Sequence, residues 1–507
     1  MEPSAVSASV STLAASLDSG QLRRFRAALD AADYTRDRVR AALESDEHLT
    51  AQPGEVIVFE HRLTGKTPLE ILLRLFLIGS TVPAADLETS LPAIPPAELQ
   101  KMGLIELTDA GARSTVRIIP HGDIVIACDR NYYGDRDSHD ADVVTGVTNP
   151  AILLADLTIR KRVRTALDLG TGGGIQALLL SNHCERVVAV DVNPRALEYA
   201  RLNASLNGVE NLELRLGSWF EPVADERFDI ITANPPYVIS PDSSFLYRDS
   251  GMPADSLCRQ LITAAPGFLA EGGFAHMLIS WALRGGEEWP EPLRRWVEGM
   301  QCDAWLLHYH TEDPLTHAAK WNQRSSSVDL PRYADALDRW TDYYRREGIQ
   351  QIAFGAVILR RRSGGSNWVR ADSFHAGRGS SAGLVLRVFE AEDFLCDLTD
   401  DGKLLGERFA LAPEHRLEQR LASSGGVWHL QEATLTLTQG IAFQGSLDIH
   451  SAELLQRLDG RRTLKQTVAK LSRDLELSTG DAAALTEAAV AMIKRLYQLG
   501  FLERTAA

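Results

Sequence analysis

From Thr165 onward, short apolar runs alternate with longer amphipathic stretches, which predicts strands alternating with helices. The run opening at Thr165 reads as a buried strand that enters a glycine-rich turn, Gly170–Gly174, followed by a helix over Ile175–Asn182. Arg186–Val190 is a second strand ending on Asp191. The helix Pro194–Leu206 stops at Asn207-Gly208. Leu212–Leu216, Phe228–Ala233, Gly273–Trp281, Cys302–His308 and Ile352–Arg360 read as further strands, with helices over Ser256–Leu269 and Pro331–Glu347. This order implies a parallel sheet with helices on both faces.

The flanks carry other patterns. Met1–Ser19 is rich in Ser and Ala and is expected to fray. Gln21–Asp30 and Thr35–Glu44 predict short helices. Pro68–Gly79 is a helix capped by Thr67, with Pro at its first position. Pro83–Ser90 and Pro96–Met102 follow as helices, then Leu104–Leu107, then strands Thr115–Pro120 and Asp123–Cys128 joined by His121-Gly122. Helices followed by a small hairpin suggest a winged-helix-like module. Gly134–Asp142 reads as a polar linker or ligand-facing loop, and Thr145–Asn149 as a segment closing over a ligand. Past Ser363-Gly364-Gly365-Ser366, Leu384–Phe389 and Thr434–Leu437 read as strands; Ser451–Leu458, Thr463–Leu475 and Asp481–Leu499 read as helices. The expected domains are 1–135, 136–365 and 366–507.

Two clusters carry candidate chemistry. Gly170, Gly172 and Gly174 let the backbone take positive φ and approach a ligand at the carboxyl end of a strand. A dinucleotide fingerprint would need glycine at 175, where Ile175 stands. Asp191, 21 positions after Gly170, is placed to accept hydrogen bonds from a ribose diol. Asn234-Pro235-Pro236-Tyr237 ends a strand abruptly, because neither proline can continue it. The bland reading of this tetrad is a rigid strand exit. The functional one is that the Asn234 amide and the Pro235 carbonyl both face one small polar group.

With Ala189–Leu197, Leu216–Pro222 and the N-P-P-Y tetrad, residues 145–285 resemble class I S-adenosylmethionine-dependent methyltransferases. Among these the stretch is most similar to the glutamine N5-methyltransferases that act on peptide-chain release factors. The resemblance implies a Rossmann-like, seven-stranded, mostly parallel sheet whose last two strands form an antiparallel pair. It implies S-adenosylmethionine as cofactor, held by Asp168, Gly170, Thr171, Gly172, Gly173, Gly174, Asp191, Val192, Ser218, Trp219 and Asn234. It also implies catalysis at Asn234, Pro235, Pro236 and Tyr237. The family pattern has Asp where Ser218 stands, and the residues after the tetrad, Val238–Asp255, depart from it. Leu454–Leu464 and Tyr497–Leu502 resemble PqqD-like winged-helix modules that hold peptides or proteins.

Composition narrows the partners. At 507 residues the chain should hold more than one domain. A net charge of −15 argues against gripping nucleic acid over the whole surface. A macromolecular substrate is expected, protein ahead of RNA, with no DNA and no membrane partner. The RNA alternative is an exocyclic amine of adenine or guanine. An alternative of another class is a non-catalytic S-adenosylmethionine-binding regulator. Five cysteines without C-x-x-C give neither a disulfide framework nor a zinc site, which fits the cytoplasm. Leu69–Ile78 is too short to span a bilayer and reads as a core helix. Arg23, Arg24, Arg26, Arg36, Arg38 and Arg40 give the first two helices a basic face, either solvated or a dock for an acidic partner. His308 and His310 are expected on one side of a strand with His317 nearby, as a hydrogen-bonded edge rather than a metal site.

Overall fold

The computed structural model describes residues 18–45, 53–130, 141–326, 329–375, 377 and 379–505. Residues 1–17 of the expected frayed stretch Met1–Ser19 and residues 134–140 of the expected linker lie outside the described residues. The chain forms two compact units, one of residues 1–155 and 161–372, the other of 156–160 and 373–507.

In the first unit, four strands come early: β1 (Ile105–Thr108), β2 (Gly111–Ser114), β3 (Val116–His121) and β4 (Ile124–Asp129). Eight more build one sheet: β5 (Val163–Leu169), β6 (Cys184–Asp191), β7 (Leu212–Leu216), β8 (Phe228–Ala233), β9 (Leu269–Leu283), β10 (Cys302–Glu312), β11 (Gln351–Arg361) and β12 (Val369–Ser373). Their order is β12-β10-β11-β9-β8-β5-β6-β7. β5 pairs in parallel with β6 and β8, β6 with β7, and β8 with β9. β11 runs antiparallel between β9 and β10. This is the α/β architecture of class I methyltransferases, with the expected antiparallel last pair. The expected count of seven is corrected to eight. β12 follows the Ser-Gly-Gly-Ser stretch that was read as a boundary, yet it pairs along β10 at the sheet's edge.

Both sheet faces are buried. One packs Leu167, Ile231, Met277, Trp281 and Val357 against the helices Ser256–Ala264 and Pro290–Val297. On the other, Ile352, Phe354 and Ala282 meet Trp340 and Tyr344 of the helix Leu330–Arg346. A third core joins Leu22, Phe25, Phe76 and Ile126 to Leu178 and Tyr199 of the sheet-covering helices. The N-terminal segment therefore shares its core with the methyltransferase-like sheet.

The Thr67 cap forms as expected: Thr67 accepts the Glu70 N–H at 3.3 Å, and the Glu70 carboxylate accepts the Thr67 N–H at 3.0 Å. The hairpin directly after the short helices is β1–β2, not the 115–128 pair of strands; β3–β4 is a second, separate hairpin. Part of the basic face is neutralised locally, since Arg24 bonds Glu98, Arg26 bonds Asp30, and Arg38 bonds Asp33.

In the second unit, β13 (Arg408–Leu411) lies between β17 (Asp459–Thr463) and β18 (Leu502–Thr505), and β14 (His415–Ser424), β15 (Val427–Leu437) and β16 (Gln444–Leu447) form a meander. The helices Ile449–Leu455, Leu464–Asp474 and Thr479–Gln498 lie near their expected places. Leu384–Phe389 is not a strand. It belongs to the helix Ala382–Cys396, whose buried residues Leu384, Val385, Val388, Phe389 and Ala391 recur with helical spacing. Among the described residues, no helix is long and apolar enough to cross a membrane.

Candidate active site

The sheet reverses direction of growth at β5, with β6 and β7 on one side and β8 on the other. In such sheets the crevice beyond the carboxyl ends of the strands at this switch is the usual binding place. The last register pair of β5 and β8 is Leu169 with Ala233. The next residue on each strand is Gly170 and Asn234. The glycine turn and the N-P-P-Y tetrad, 60 residues apart in sequence, thus leave the sheet side by side.

The turn is built from below. Asp168, 1 % exposed, accepts the Thr171 hydroxyl at 2.7 Å and the Thr232 hydroxyl at 2.9 Å, which ties the turn to β8. Burial pushes the Asp168 carboxyl up to about 7, against the two hydroxyl donors. Gly170 and Gly172 have φ of 64° and 54°, and a Cβ on either would meet nothing within 4 Å. Their backbone therefore borders open space. Gly174 differs: its φ is 87°, and a Cβ there would lie 3.2 Å from Ala200 Cβ, so this glycine permits helix packing. The Gly173 carbonyl accepts a hydrogen bond from Asn203 Nδ2 at 2.8 Å.

Asp191 ends β6 beside this turn. Its carboxylate accepts the Gly172 N–H at 2.8 Å and the Asn193 N–H at 2.9 Å. Burial raises its pKa, and these backbone donors oppose the rise. A carboxylate offers about four acceptor sites, so capacity remains for a ribose diol. Val192 beside it is half exposed. The Asp191 carbonyl accepts the Gly217 N–H at 3.0 Å, which brings the exit of β7 to the same place. Ser218 and Trp219 follow there, with Trp219 at a φ of 48° and packed against the sheet core. Gly217 has no room for a side chain, since a Cβ would lie 2.4 Å from Pro222 Cγ.

At the tetrad, Pro235 is buried, while Asn234, Pro236 and Tyr237 are half-buried. The Asn234 side-chain amide has no hydrogen-bond partner among the described residues. The Ser280 hydroxyl of β9 donates to the Tyr237 carbonyl, fixing the chain beyond the prolines. The Tyr237 ring meets the Phe354 ring edge-on at 6.5 Å, and burial raises its phenol's pKa.

The sequence-identified positions lie at or just beyond the carboxyl ends of β5, β6, β7 and β8, with Asp168 buried beneath the turn and Gly174 turned towards Ala200. The sequence reading missed the residues that position these groups from behind, Asn193, Asn203, Thr232 and Ser280. Asn193 was legible as a helix cap, and its Oδ1 accepts the Arg195 N–H at 3.0 Å. Asn203 was legible only as a polar residue on an apolar helix face. The expectation for the histidines is corrected. A bulge in β10 between His308 and His310 places them opposite the adjacent residues Gly355 and Phe354, hence on opposite faces. His308 stacks on Trp289 and His310 on Phe354. His317 Nδ1 lies 2.6 Å from the Glu312 carboxylate. No group of three or more metal-ligating side chains occurs among the described residues.

Residues 148–286 match the family described as "Methyltransferase small domain". The chain carries an S-adenosylmethionine-dependent methyltransferase domain. Residues 31–115 and 387–504, on either side of it, match two families described as domains of unknown function, DUF7059 and DUF7782. The methyltransferase domain is 36% identical over 132 residues to a release factor glutamine methyltransferase of Xylella fastidiosa, covering 23% of this chain and 47% of that one. It is 45% identical over 78 residues to one of Aliivibrio fischeri, covering 15% and 28%. The chain thus spans about half or less of the length of these relatives. A putative methyltransferase from Bacillus halodurans overlays 42% of this chain and 99% of its own at a TM-score of 0.28 and 19% identity, too low to add to the argument.

The crevice fits the cofactor. Open glycine backbone faces it, a carboxylate with spare acceptor capacity stands beside it, and Asp168 supports the turn from beneath. Bound there, S-adenosylmethionine supplies an electrophilic methyl group.

Proposed function

We propose that the protein is an S-adenosylmethionine-dependent N-methyltransferase acting on a planar amide or amine of a macromolecule, with a protein glutamine as the preferred acceptor. The observation that carries this reading is the adjacency of Asn234 to Gly170 across the β5–β8 register, with no hydrogen-bond partner for the Asn234 amide among the described residues. An amide nitrogen is a poor nucleophile because its lone pair is delocalised. Asn234 Oδ1 and the Pro235 carbonyl can each accept one N–H of an –NH₂ group. That orients the nitrogen and favours positive charge developing on it. The prolines supply rigidity, so little reorganisation is needed at the moment of reaction. Tyr237 supplies an aromatic wall beside the developing cation. S-adenosylmethionine held there would supply the methyl group and keep the methyl–sulfur bonding pair as a neutral thioether, while Asn234 Oδ1 and the Pro235 carbonyl would hold the nitrogen as it forms the C–N bond and gives a proton to solvent.

Asp191 would hold the ribose hydroxyls, and Ser218 the adenine end, more weakly than the Asp of the family pattern. The glutamine preference is supported by the release factor glutamine methyltransferases to which the domain is similar. The two flanking segments, read as winged-helix-like and PqqD-like, would dock the protein substrate. The test uses the full chain with S-adenosylmethionine carrying a labelled methyl group, incubated with cell extract. Label should enter protease-sensitive material and be found on glutamine by mass spectrometry. Ribonuclease-sensitive label would replace the protein acceptor by RNA, and absence of any label would favour the non-catalytic regulator.

A further inference from the structure

Ala141 and Asp142 bridge two parts of the crevice. On the cofactor side, Asn193 Nδ2 donates to the Asp142 carbonyl at 2.8 Å, and Arg195 Nη1 lies 3.8 Å from the Asp142 carboxylate. On the tetrad side, the Leu246 N–H donates to the Ala141 carbonyl at 3.0 Å. The bridge is anchored behind. Asp129, at the end of β4, bonds Arg195 and accepts the Tyr199 hydroxyl and the Val144 N–H, each at 2.8 Å.

Leu246 belongs to the loop that starts directly after Tyr237. This loop is closed on itself. The Val238 N–H donates to the Arg248 carbonyl at 3.3 Å, at its neck. Buried Asp249 accepts the Ser244 N–H at 3.0 Å, the Phe245 N–H at 3.1 Å and the Arg248 guanidinium at 2.7 Å. A loop with its interior bonded in this way shifts as a unit when its tip is pulled. At the other end of the bridge, the Asn193 N–H donates to Asp191 Oδ1 at 2.9 Å. An unbroken series of contacts therefore runs from the ribose carboxylate through Asn193, Asp142 and Ala141 to Leu246.

We infer that Ala141–Asp142 is a strap coupling cofactor occupancy at Asp191 to the position of the loop after Tyr237, with Asn193 as the positioning residue that carries the coupling. Asn193 is 6 % exposed, and its side chain does two separable things. Oδ1 caps the helix Pro194–Leu206 at Arg195, and Nδ2 holds the strap. In Asn193→Ser the hydroxyl can still cap the helix, but it is too short to reach Asp142. The value of this device to an enzyme, an acceptor loop set only when the methyl donor is present, rests on the nitrogen-methylation reading. The coupling itself rests on the contacts above and on Asp191 as the proposed ribose acceptor.

The experiment is amide hydrogen exchange on the full chain, with and without S-adenosylmethionine, together with calorimetric measurement of its affinity. In the wild type the cofactor should slow exchange at Leu246 roughly fivefold, the equivalent of one hydrogen bond of about 1 kcal/mol. Asn193→Ser should bind the cofactor within about threefold of wild type while Leu246 loses its response. The Ala127 amide, bonded to Asn203 on the same helix, is the control and should not change. A Leu246 amide that ignores the cofactor in the wild type, or responds equally in the variant, overturns the inference. So does loss of protection at Ala127, which would mean a frayed helix, or abolished cofactor binding, which would make Asn193 part of the cofactor site. None of these readouts requires turnover, so failure of the acceptor assignment would leave them intact.

Discussion

Asn234 and Asp168 show how little of a residue's role lies in its type. Asn234 stands on a turn stiffened by two prolines, so Asn234→Ala should leave the fold and most cofactor affinity intact. It should nonetheless lower turnover roughly 10²–10³-fold, the usual cost of one preorganised polar group. Asn234→Asp keeps an acceptor and should be less damaging. Single-turnover kinetics on the identified acceptor checks the order, and a fully active alanine variant would reduce the tetrad to a strand exit. Asp168 is a carboxyl whose folded pKa is raised by burial to about 7, against about 3.9 in an unfolded chain. Below both values the group is protonated in either state, and its contribution to stability is complete. Between them the unfolded chain binds fewer protons than the folded one, so stability falls as pH rises towards 7. Asp168→Asn removes this dependence. In urea unfolding, the wild type should lose stability relative to the variant between pH 4 and 7, with the difference flat above that. A constant difference across the range would mean that Asp168 is charged in the native state.

At the scale of elements, the helix Pro194–Leu206 is the joint of the first unit. Its Asn203 side chain, fully buried, accepts the Ala127 N–H at 2.7 Å and donates to the Ala127 carbonyl at 2.9 Å and the Gly173 carbonyl at 2.8 Å. One residue thereby pairs β4 with the helix and steadies the glycine turn. Asn207 repeats the pattern one turn on, bonding both backbone groups of Val125. Asn203→Leu keeps the branched outline of the side chain, with bulkier methyls, and leaves three buried backbone groups without that partner. At about 1–3 kcal/mol for each orphaned group, and without full additivity, a loss of about 3 kcal/mol is expected. Denaturant midpoints at constant slope provide the measurement. S-adenosylmethionine affinity should fall as well, because the Gly173 carbonyl loses its tether. An unchanged midpoint would show that water replaces the amide.

For the whole molecule, the second unit takes in residues 156–160 and resumes at Ser373, the last residue of β12, by which point β12 has joined the sheet. Removing Ser373–Ala507 should therefore leave a folded chain that binds S-adenosylmethionine, with turnover on the macromolecular acceptor reduced. Cutting at Ser366 instead would remove an edge strand along with the unit. Calorimetric titration and methyl transfer on the same sample separate the outcomes. A truncated chain that neither folds nor binds the cofactor would make the second unit a packing cap, and one with full turnover would remove its docking role. Nothing comparable is expected from deleting the N-terminal segment, whose Phe25, Phe76 and Ile126 are part of one core with Leu178 and Tyr199. Its loss should unfold the catalytic sheet's flank.

Most strands from β5 to β11 were legible as apolar runs bounded by glycine, proline or charge, β7 by its alternating Leu-Glu-Leu-Arg-Leu, and Asn207-Gly208 and the two prolines after Asn234 stop their elements through backbone geometry alone. The site positions were legible for a related reason: positive φ at Gly170, Gly172 and Gly174 and the absent N–H groups of Pro235 and Pro236 are properties of the residue types. The helix at Ala382–Cys396 was not legible from its short apolar run, since such a run suits strand and helix equally until its buried face is known. β12 escaped for the converse reason, being a half-polar edge strand that only its neighbour β10 defines. The bulge that turns His308 and His310 apart, the Glu312 partner of His317, the two asparagines that pair with β4 and the strap at Ala141 all depend on which distant backbone lies alongside. Local sequence sets the dihedral preferences of a segment. Its hydrogen-bond partners across 50 or 100 residues are chosen by the packing of the sheet and its covering helices.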